Sequence, residues 1–332
     1  MDRQQIQQLF EQFSRFNILI IGDVMIDTYF WGKVDRISPE APVPIIARTK
    51  LEHRLGGAGN VALNIQSLGA NPFLCSVIGD DDKSNILINL LKQRKLSPEG
   101  ILQDKNRITT IKTRVISDNQ HLLRIDEEIT DNINDEIRQK FINKLQSIIE
   151  TKNINAIIFE DYDKGVITPE VINELVKIAH AKNIPTLVDP KKRNFMDYYG
   201  VTLFKPNFKE LVEGLKLDIE KNDFDALHQA ANRLRKDMNI NTVMITLSEL
   251  GIYINDNGSF HNIPAEVRDI ADVSGAGDTV ISTASLCLAA GMSPDEIAFI
   301  SNLAGGLVCE KVGVVPIDKN LLMEEYLEIK SK

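Results

Sequence analysis

Short continuous apolar runs alternate with longer amphipathic stretches along most of this chain, and that alternation predicts an α/β fold. Asn17-Ile18-Leu19-Ile20-Ile21-Gly22 is β-branched and apolar throughout, the pattern of a parallel strand covered on both faces. Ahead of it, Ile6, Leu9, Phe10 and Phe13 recur at helical spacing and predict an amphipathic helix over residues 4–16. Beyond Glu128 the order becomes regular. A helix over 131–150 precedes the strand Ala156-Ile157-Ile158-Phe159, and one over 169–181 precedes Pro185-Thr186-Leu187-Val188-Asp189. Thr202-Leu203-Phe204, a helix over 223–238 and Thr242-Val243-Met244-Ile245-Thr246 follow. Such an order predicts a doubly wound, mainly parallel sheet flanked by helices. Near the end, an apolar helix over 276–290 stops at Gly291, and a second runs from Ser293 toward Lys311 before Gly313 breaks it.

Two stretches depart from this rhythm. Residues 28–54 carry Tyr29, Phe30 and Trp31, then Pro39, Pro42 and Pro44, then Ile45-Ile46-Ala47-Arg48, a pattern in which no helix fits and prolines suit strand edges. A similar piece over 107–126 places two β-rich runs around Asp118-Asn119, a hairpin signal. Together they predict a small β-sheet lid, inserted at about 28–55 and 107–126 of a single domain spanning 1–332. Tyr29, Phe30 and Trp31 would leave an apolar patch in water, so the lid predicts a homodimer.

Composition narrows the function classes. Hydrophobic residues make up 43% and charged residues 26% of 332, an ordinary globular balance. A formal net charge of −9 excludes nucleic acid as a principal partner, because phosphate-backbone binding needs a basic face. Cys75, Cys287 and Cys309 each lie in an apolar run and read as buried thiols of a reducing cytoplasm. The polar start and the lack of a spanning apolar run predict neither a signal peptide nor a membrane segment. His53, His121, His180, His228 and His261 are scattered without zinc-ligand spacing.

The candidate chemistry collects at strand ends and helix starts. Asp272-Val273-Ser274-Gly275-Ala276-Gly277-Asp278-Thr279 joins a glycine turn to a helix start, where free N–H groups and the helix dipole favour an anion. Asp278 there can accept a hydroxyl proton, or simply cap the helix. Asp23 and Asp27 follow the first strand, where open α/β sheets bind ligands, and can bond sugar hydroxyls or serve as turn residues. Gly56-Gly57-Ala58-Gly59-Asn60 feeds a second helix, with Asn60 as a polar contact on its first turn. Asn207-Phe208-Lys209-Glu210 sets an amide and a carboxylate three apart. The pair suits water-coordinated Mg²⁺ near phosphates and equally satisfies a capping box. Further polar groups recur at strand ends: Glu160 to Lys164, Asp189-Pro190-Lys191, Lys205-Pro206-Asn207 and Thr246.

In this combination and order, the early glycine signature, Asn207-x-x-Glu210 and Asp272-x-x-Gly275-Ala276-Gly277-Asp278 resemble the PfkB, or ribokinase-like, carbohydrate kinase family over nearly the whole chain. Arg36-Ile37-Ser38-Pro39-Glu40-Ala41-Pro42-Val43-Pro44 and Asp161-Tyr162-x-Lys164-Gly165 are similar to family members acting on D-glycero-β-D-manno-heptose 7-phosphate. The resemblance implies a ribokinase-like fold and ATP-dependent phosphorylation of the C1 hydroxyl, giving the 1,7-bisphosphate on the route to ADP-heptose and lipopolysaccharide cores. Asp278 would be the base, with the amides of Gly275, Ala276 and Gly277 as the anion hole. Asn207, Phe208, Lys209 and Glu210 would serve ATP, Glu210 holding Mg²⁺ through water, and Thr246, Ser248 and Gly251 would line the nucleotide site. Asp23, Asp27, Gly56, Gly57, Asn60 and Asp161 would hold the sugar. Lys112, Arg114, Arg124 and Lys164 are candidates for the 7-phosphate. A monovalent cation is a further candidate cofactor.

Three departures bear on these expectations. Val273-Ser274 stands where relatives commonly carry Thr before Gly, Leu247 where heptose kinases often have Arg, and Glu160 where Ser is frequent. Many relatives also continue into an adenylyltransferase domain. With the chain ending at Lys332, the second step is expected of a separate protein. Other readings remain open: a kinase for fructose 1-phosphate, tagatose 6-phosphate or a ribose-like sugar, or a non-catalytic sugar-phosphate sensor.

Overall fold

The computed structural model describes residues 3–118, 120–256 and 259–330. Helix α1 (Arg3–Gln12) buries Ile6, Leu9 and Phe10, and a short 3₁₀ turn buries Phe13, the stripe that the helical spacing marks. Strand β1 (Asn17–Gly22) is the pivot of the fold. On one side it pairs in parallel with β4 (Asn71–Gly79), and β4 with β5 (Gly100–Asp104). On the other it pairs with β8 (Ala156–Glu160), after which β9 (Thr186–Asp189), β10 (Leu203–Phe204) and β11 (Thr242–Thr246) extend the parallel sheet. Two antiparallel strands, β12 (Ile252–Asp256) and β13 (Ser259–Ile263), close the far edge of this nine-stranded sheet. Chain order therefore reverses at β1, and the crevice at such a switch point is where ligands bind in open α/β sheets.

The continuous apolar strands have no solvent face because both faces carry helices. Ile18 and Ile20 point into a core built with α2 (Ala58–Ser67), α3 (Asp82–Gln93), α8 (Ala276–Ala289), α9 (Pro294–Cys309) and α10 (Lys319–Lys330). Leu19 and Ile21 point into the opposite core, built with α4 (Asp135–Thr151), α5 (Pro169–Ala181), α6 (Phe208–Leu215) and α7 (Phe224–Met238). Alternate side chains of one strand thus hold two helical layers together. Cys75, Cys287 and Cys309 are buried free thiols, and no described helix is long and apolar enough to cross a membrane.

The small sheet has the order β3, β2, β6, β7, where β2 is Val24–Ile37, β3 Pro44–Gly57, β6 Ile111–Ser117 and β7 Gln120–Glu127. It begins earlier than the pattern indicates. Asp27 therefore lies within β2 and not in the turn after β1, where only Asp23 remains. Residues 107–110 are not a strand, and Asn119 of the hairpin lies outside the described residues. Tyr29 and Trp31 do not form the expected exposed patch. They stack 6.4 Å apart on the face toward the crevice, and Tyr29 is only 6% exposed. The outward face instead presents Leu51, Leu123 and Ile125, which are 42%, 57% and 46% exposed. Strand alternation decides this: Phe30, paired with Leu51 and Val115, faces opposite to Tyr29.

Candidate active site

Helix α8 starts at Gly275, whose φ of 81° is left-handed and unfavourable for other residues. A β-carbon there would also lie 2.8 Å from Asn60 Nδ2 and 3.2 Å from Val314 Cγ1, so glycine is required for both conformation and space. The Ala276 N–H donates to Val273 O at 3.3 Å, which withdraws it from the expected trio of anion-hole amides. Asp272 pins the turn by accepting the N–H groups of Ser274 and Gly313, each at 2.9 Å.

Asp278 lies on the first turn of α8 and is 6% exposed. Asn60 Nδ2 donates to its Oδ2 at 2.7 Å, and the Tyr162 hydroxyl donates to its Oδ1 at 2.9 Å. Asn60 is therefore a partner of Asp278, held on α2 by its own neighbour: Asn64 donates to the Asn60 carbonyl at 3.0 Å and accepts from Thr279 Oγ1 at 3.2 Å. Burial pushes the Asp278 carboxyl up to about 6, with the Asp189 charge adding and the Asn60, Tyr162 and Lys205 interactions opposing. Desolvation thus outweighs the favourable helix start, although the group is still ionised at neutral pH. A base tuned to this range is charged at neutral pH yet basic enough to take a proton.

Beneath the turn, Glu160, Asp189 and Asp278 bring carboxylate oxygens within 4.8 Å of one another. Lys205, 2% exposed, places Nζ 2.8 Å from Asp189 Oδ2 and supplies the counter-charge there. Burial alone would lower Lys205, but the Asp189 and Glu210 carboxylates override it and hold the ammonium above its ordinary value. Burial, then the charges of Asp189 and Asp278, raises Glu160 well above the carboxylate range. Its Oε2 has no hydrogen-bond partner among the described residues. With Lys205 paired to Asp189 and Glu160 raised, Asp278 is the carboxylate of the trio left without a cation partner. Only the strand-end positions of Glu160, Asp189 and Lys205 are visible in the sequence.

Two predicted sugar contacts make buried hydrogen bonds within the protein. Asp23, 1% exposed, accepts the N–H groups of Tyr162 at 2.9 Å, Lys164 at 3.1 Å and Val166 at 3.2 Å. Asp161 accepts from Asn194 at 2.9 Å and the Tyr198 hydroxyl at 2.7 Å, and burial raises it to about 6. Both carboxylates shape the loop that delivers Tyr162 to Asp278. Asp27 does face the crevice. It pairs with Arg114 at 2.6 Å, and a β-carbon on Gly56 would collide with its Oδ2. Gly57, at φ 58°, is the N-cap of α2.

On the nucleotide side, Asn207 and Glu210 form a complete capping box, 2.8 Å and 2.9 Å, which realises the helix-cap alternative without excluding a metal role. Glu210 Oε1 also accepts from Lys191. Asn207 bridges to Thr246 at the end of β11, and the turn Ser248 to Gly251 follows with left-handed φ values of 54° and 86°. Phe208 begins α6, and Lys209 is exposed. Leu247 is fully buried, so it packs in the core and does not face a nucleotide.

Each predicted phosphate-binding cation is already paired. Lys112 lies 3.8 Å from both Asp126 and Glu128, Arg124 3.0 Å from Asp126, and Lys164 2.7 Å from Glu128. Three cations thus share two carboxylates, an arrangement with positive charge to spare. Arg54, which the sequence reading passed over, reaches from β3 to the Val314 carbonyl at 3.5 Å and lies 4.8 Å from the Tyr29 ring centre.

Comparison with known proteins gives consistent results. The model for "pfkB family carbohydrate kinase" matches residues 15–320. Bifunctional protein HldE of Geotalea uraniireducens is 37% identical over 327 residues, covering 98% of this chain and 66% of that protein. Bifunctional protein HldE of Helicobacter pylori is 40% identical over 298 residues, covering 89% and 63%. The chain thus spans just under two thirds of the length of these relatives. Among solved structures, phosphofructokinase-2 from Escherichia coli in complex with potassium superposes with a TM-score of 0.77 at 18% identity, covering 96% of this chain and 99% of that one. Arabidopsis thaliana ribokinase complexed with ribose and ATP gives 0.71 at 14% identity, covering 93% and 98%. At such identities these two show a shared ribokinase-like fold.

Two outcomes are expected. The folded pKa of Asp278, about 6, is raised above its ordinary 3.8, so the folded protein holds the extra proton between these values, and the ionised carboxylate weighs against the fold above them. Asp278→Asn should therefore gain about 1–3 kcal/mol in urea unfolding at pH 8, a gain that vanishes below about pH 4. Asp23→Ala should instead lower stability by about 3 kcal/mol or more, because three buried N–H groups lose their acceptor. An unchanged unfolding midpoint with weakened sugar binding would restore Asp23 as a substrate contact.

Proposed function

Because this chain belongs to the pfkB family of carbohydrate kinases and is an ATP-dependent sugar kinase, we propose that it phosphorylates D-glycero-β-D-manno-heptose 7-phosphate at the C1 hydroxyl. The observation that carries the chemistry is the buried Asp278, raised to about 6 by burial against the opposing pull of two hydrogen bonds, at a glycine-capped helix start. The acceptor oxygen forms a bond to the γ-phosphorus, the bond to the β-phosphate bridge breaks, ADP leaves with the electron pair, and the hydroxyl proton passes to Asp278. The turn around Gly275 and Gly277, with Lys205 beneath it, offers positive potential to the charge that develops on the transferred group. ATP supplies the phosphoryl group and Mg²⁺ screens its charge. Glu210, half-buried beside Asn207 and Thr246, would hold the metal through water.

The choice of substrate rests on residues 36–44 and 161–165 and on the HldE relatives. The surplus cation among Lys112, Arg124 and Lys164 supports an acceptor that carries its own phosphate. The 1,7-bisphosphate then serves an adenylyltransferase on the way to ADP-heptose for lipopolysaccharide cores. Three buried free thiols support a reducing, cytoplasmic setting. The outward lid face, with Leu51, Leu123 and Ile125, supports a homodimer joined sheet to sheet.

ADP release with Mg-ATP, measured across heptose 7-phosphate, fructose 1- and 6-phosphates, tagatose 6-phosphate and free sugars, tests the reading. Turnover is expected on heptose 7-phosphate, with Asp278→Asn slower by about 10²–10⁴-fold and kcat/KM falling below about pH 6. Turnover only on another sugar would displace the substrate, and binding without ADP release would favour a sensor. In analytical ultracentrifugation, wild type should sediment as a dimer and Leu123→Lys as a monomer. A monomeric wild type at tens of micromolar would remove the dimer.

A further inference from the structure

Lys191 follows β9 by two residues and sits where the two halves of the site meet. Its Nζ donates to Glu210 Oε1, and the same ammonium lies 5.4 Å from the centre of the Tyr162 ring. The Tyr162 hydroxyl in turn holds Asp278. One flexible cation therefore touches the proposed metal-binding carboxylate and stands one ring from the base. The capping box of α6 does not need it, because Glu210 Oε2 and Asn207 Oδ1 already complete both cap bonds. Lys205 cannot play the same part: it is fully buried and tied to Asp189 under Gly277, whereas the Lys191 side chain is 31% exposed.

The groups facing Lys191 hold it charged. Burial would lower it, but the carboxylates of Asp189 and Glu210, from β9 and α6, override that effect and raise it. A lysine stem lets an ammonium sweep several ångströms without backbone movement. If a water-coordinated metal engaged the carboxylate of Glu210, its attraction for Lys191 would weaken, and the ammonium would be free to turn toward a phosphate seated over the Gly275 turn.

We propose that Lys191 is a phosphate-contacting catalytic residue that exchanges Glu210 for the terminal phosphoryl group of the bound nucleotide. The inference rests on the kinase reading of this site. Lys191 then neutralises charge on the transferring group and, through the Tyr162 ring, stands against the side of the site that holds the base.

The test compares wild type, Lys191→Met and Lys191→Arg by calorimetric titration with ADP and with a non-hydrolysable ATP analogue, alongside kinetics. Wild type should bind the analogue more tightly than ADP. In Lys191→Met that gap should close and kcat should fall about 10²-fold or more, with the sugar-phosphate KM changing less than about twofold. Lys191→Arg should restore part of the gap. A Lys191→Met protein that keeps the gap, whether its kcat or only its melting temperature falls, would confine Lys191 to bracing Glu210 and overturn the proposal. A wild type that binds nucleotide but turns over no sugar would sink the kinase reading itself, an outcome distinct from an active wild type with an unaffected Lys191→Met.

Discussion

A carboxylate sealed from water yet held by two neutral donors is the constraint around which this molecule is arranged. Asp278 cannot be buried as an anion without compensation, and Asn60 and Tyr162 supply it from opposite sides. Each donor requires its own support. Asn60 is fixed by Asn64, which also accepts from Thr279 and the Ile317 N–H, so the first turns of α2 and α8 face each other in one orientation. Tyr162 is fixed by a loop whose amides are gathered by Asp23. The carboxylate at the end of β1 therefore acts on Asp278 from a distance, through the backbone it organises.

The buried charges around this centre form a graded set. Lys205 neutralises Asp189, Glu160 avoids a further charge by keeping its proton, and Asp278 is left as the group whose proton can move near neutral pH. Such an arrangement separates a base from the acids beside it by environment, since all three are ordinary carboxyl groups when exposed. It also costs stability. That cost is tolerable because the two apolar cores on either side of the sheet fix the strand ends from which Glu160, Asp189 and Lys205 project.

The small sheet answers a different requirement. Its inward face is charged and carries Asp27, Arg54 and Arg114 around the Tyr29 ring, while its outward face is apolar. Alternation along β2 produces both faces from one strand. The polar side suits a sugar-binding crevice, and the apolar side suits a covering surface.

Much of the architecture was legible in the chain itself. Period-two and period-3.6 patterns report burial directly, so β1, α5, β11, α8 and α9 stand close to where their apolar runs place them, and Gly291 takes the left-handed conformation its helix end demands. The motif around Asp278 was readable for the same reason, since a glycine turn and a helix start are local. What only the tertiary structure decided is which strand-end groups meet and what each then does. Asp23 and Asp161 gather donors of the loop that carries Tyr162, burial and neighbouring carboxylates raise Glu160, and Tyr162, Lys191 and Lys205 gain partners from residues far away in sequence. Partners and proton affinities depend on distance and desolvation, and neither quantity is written along a chain.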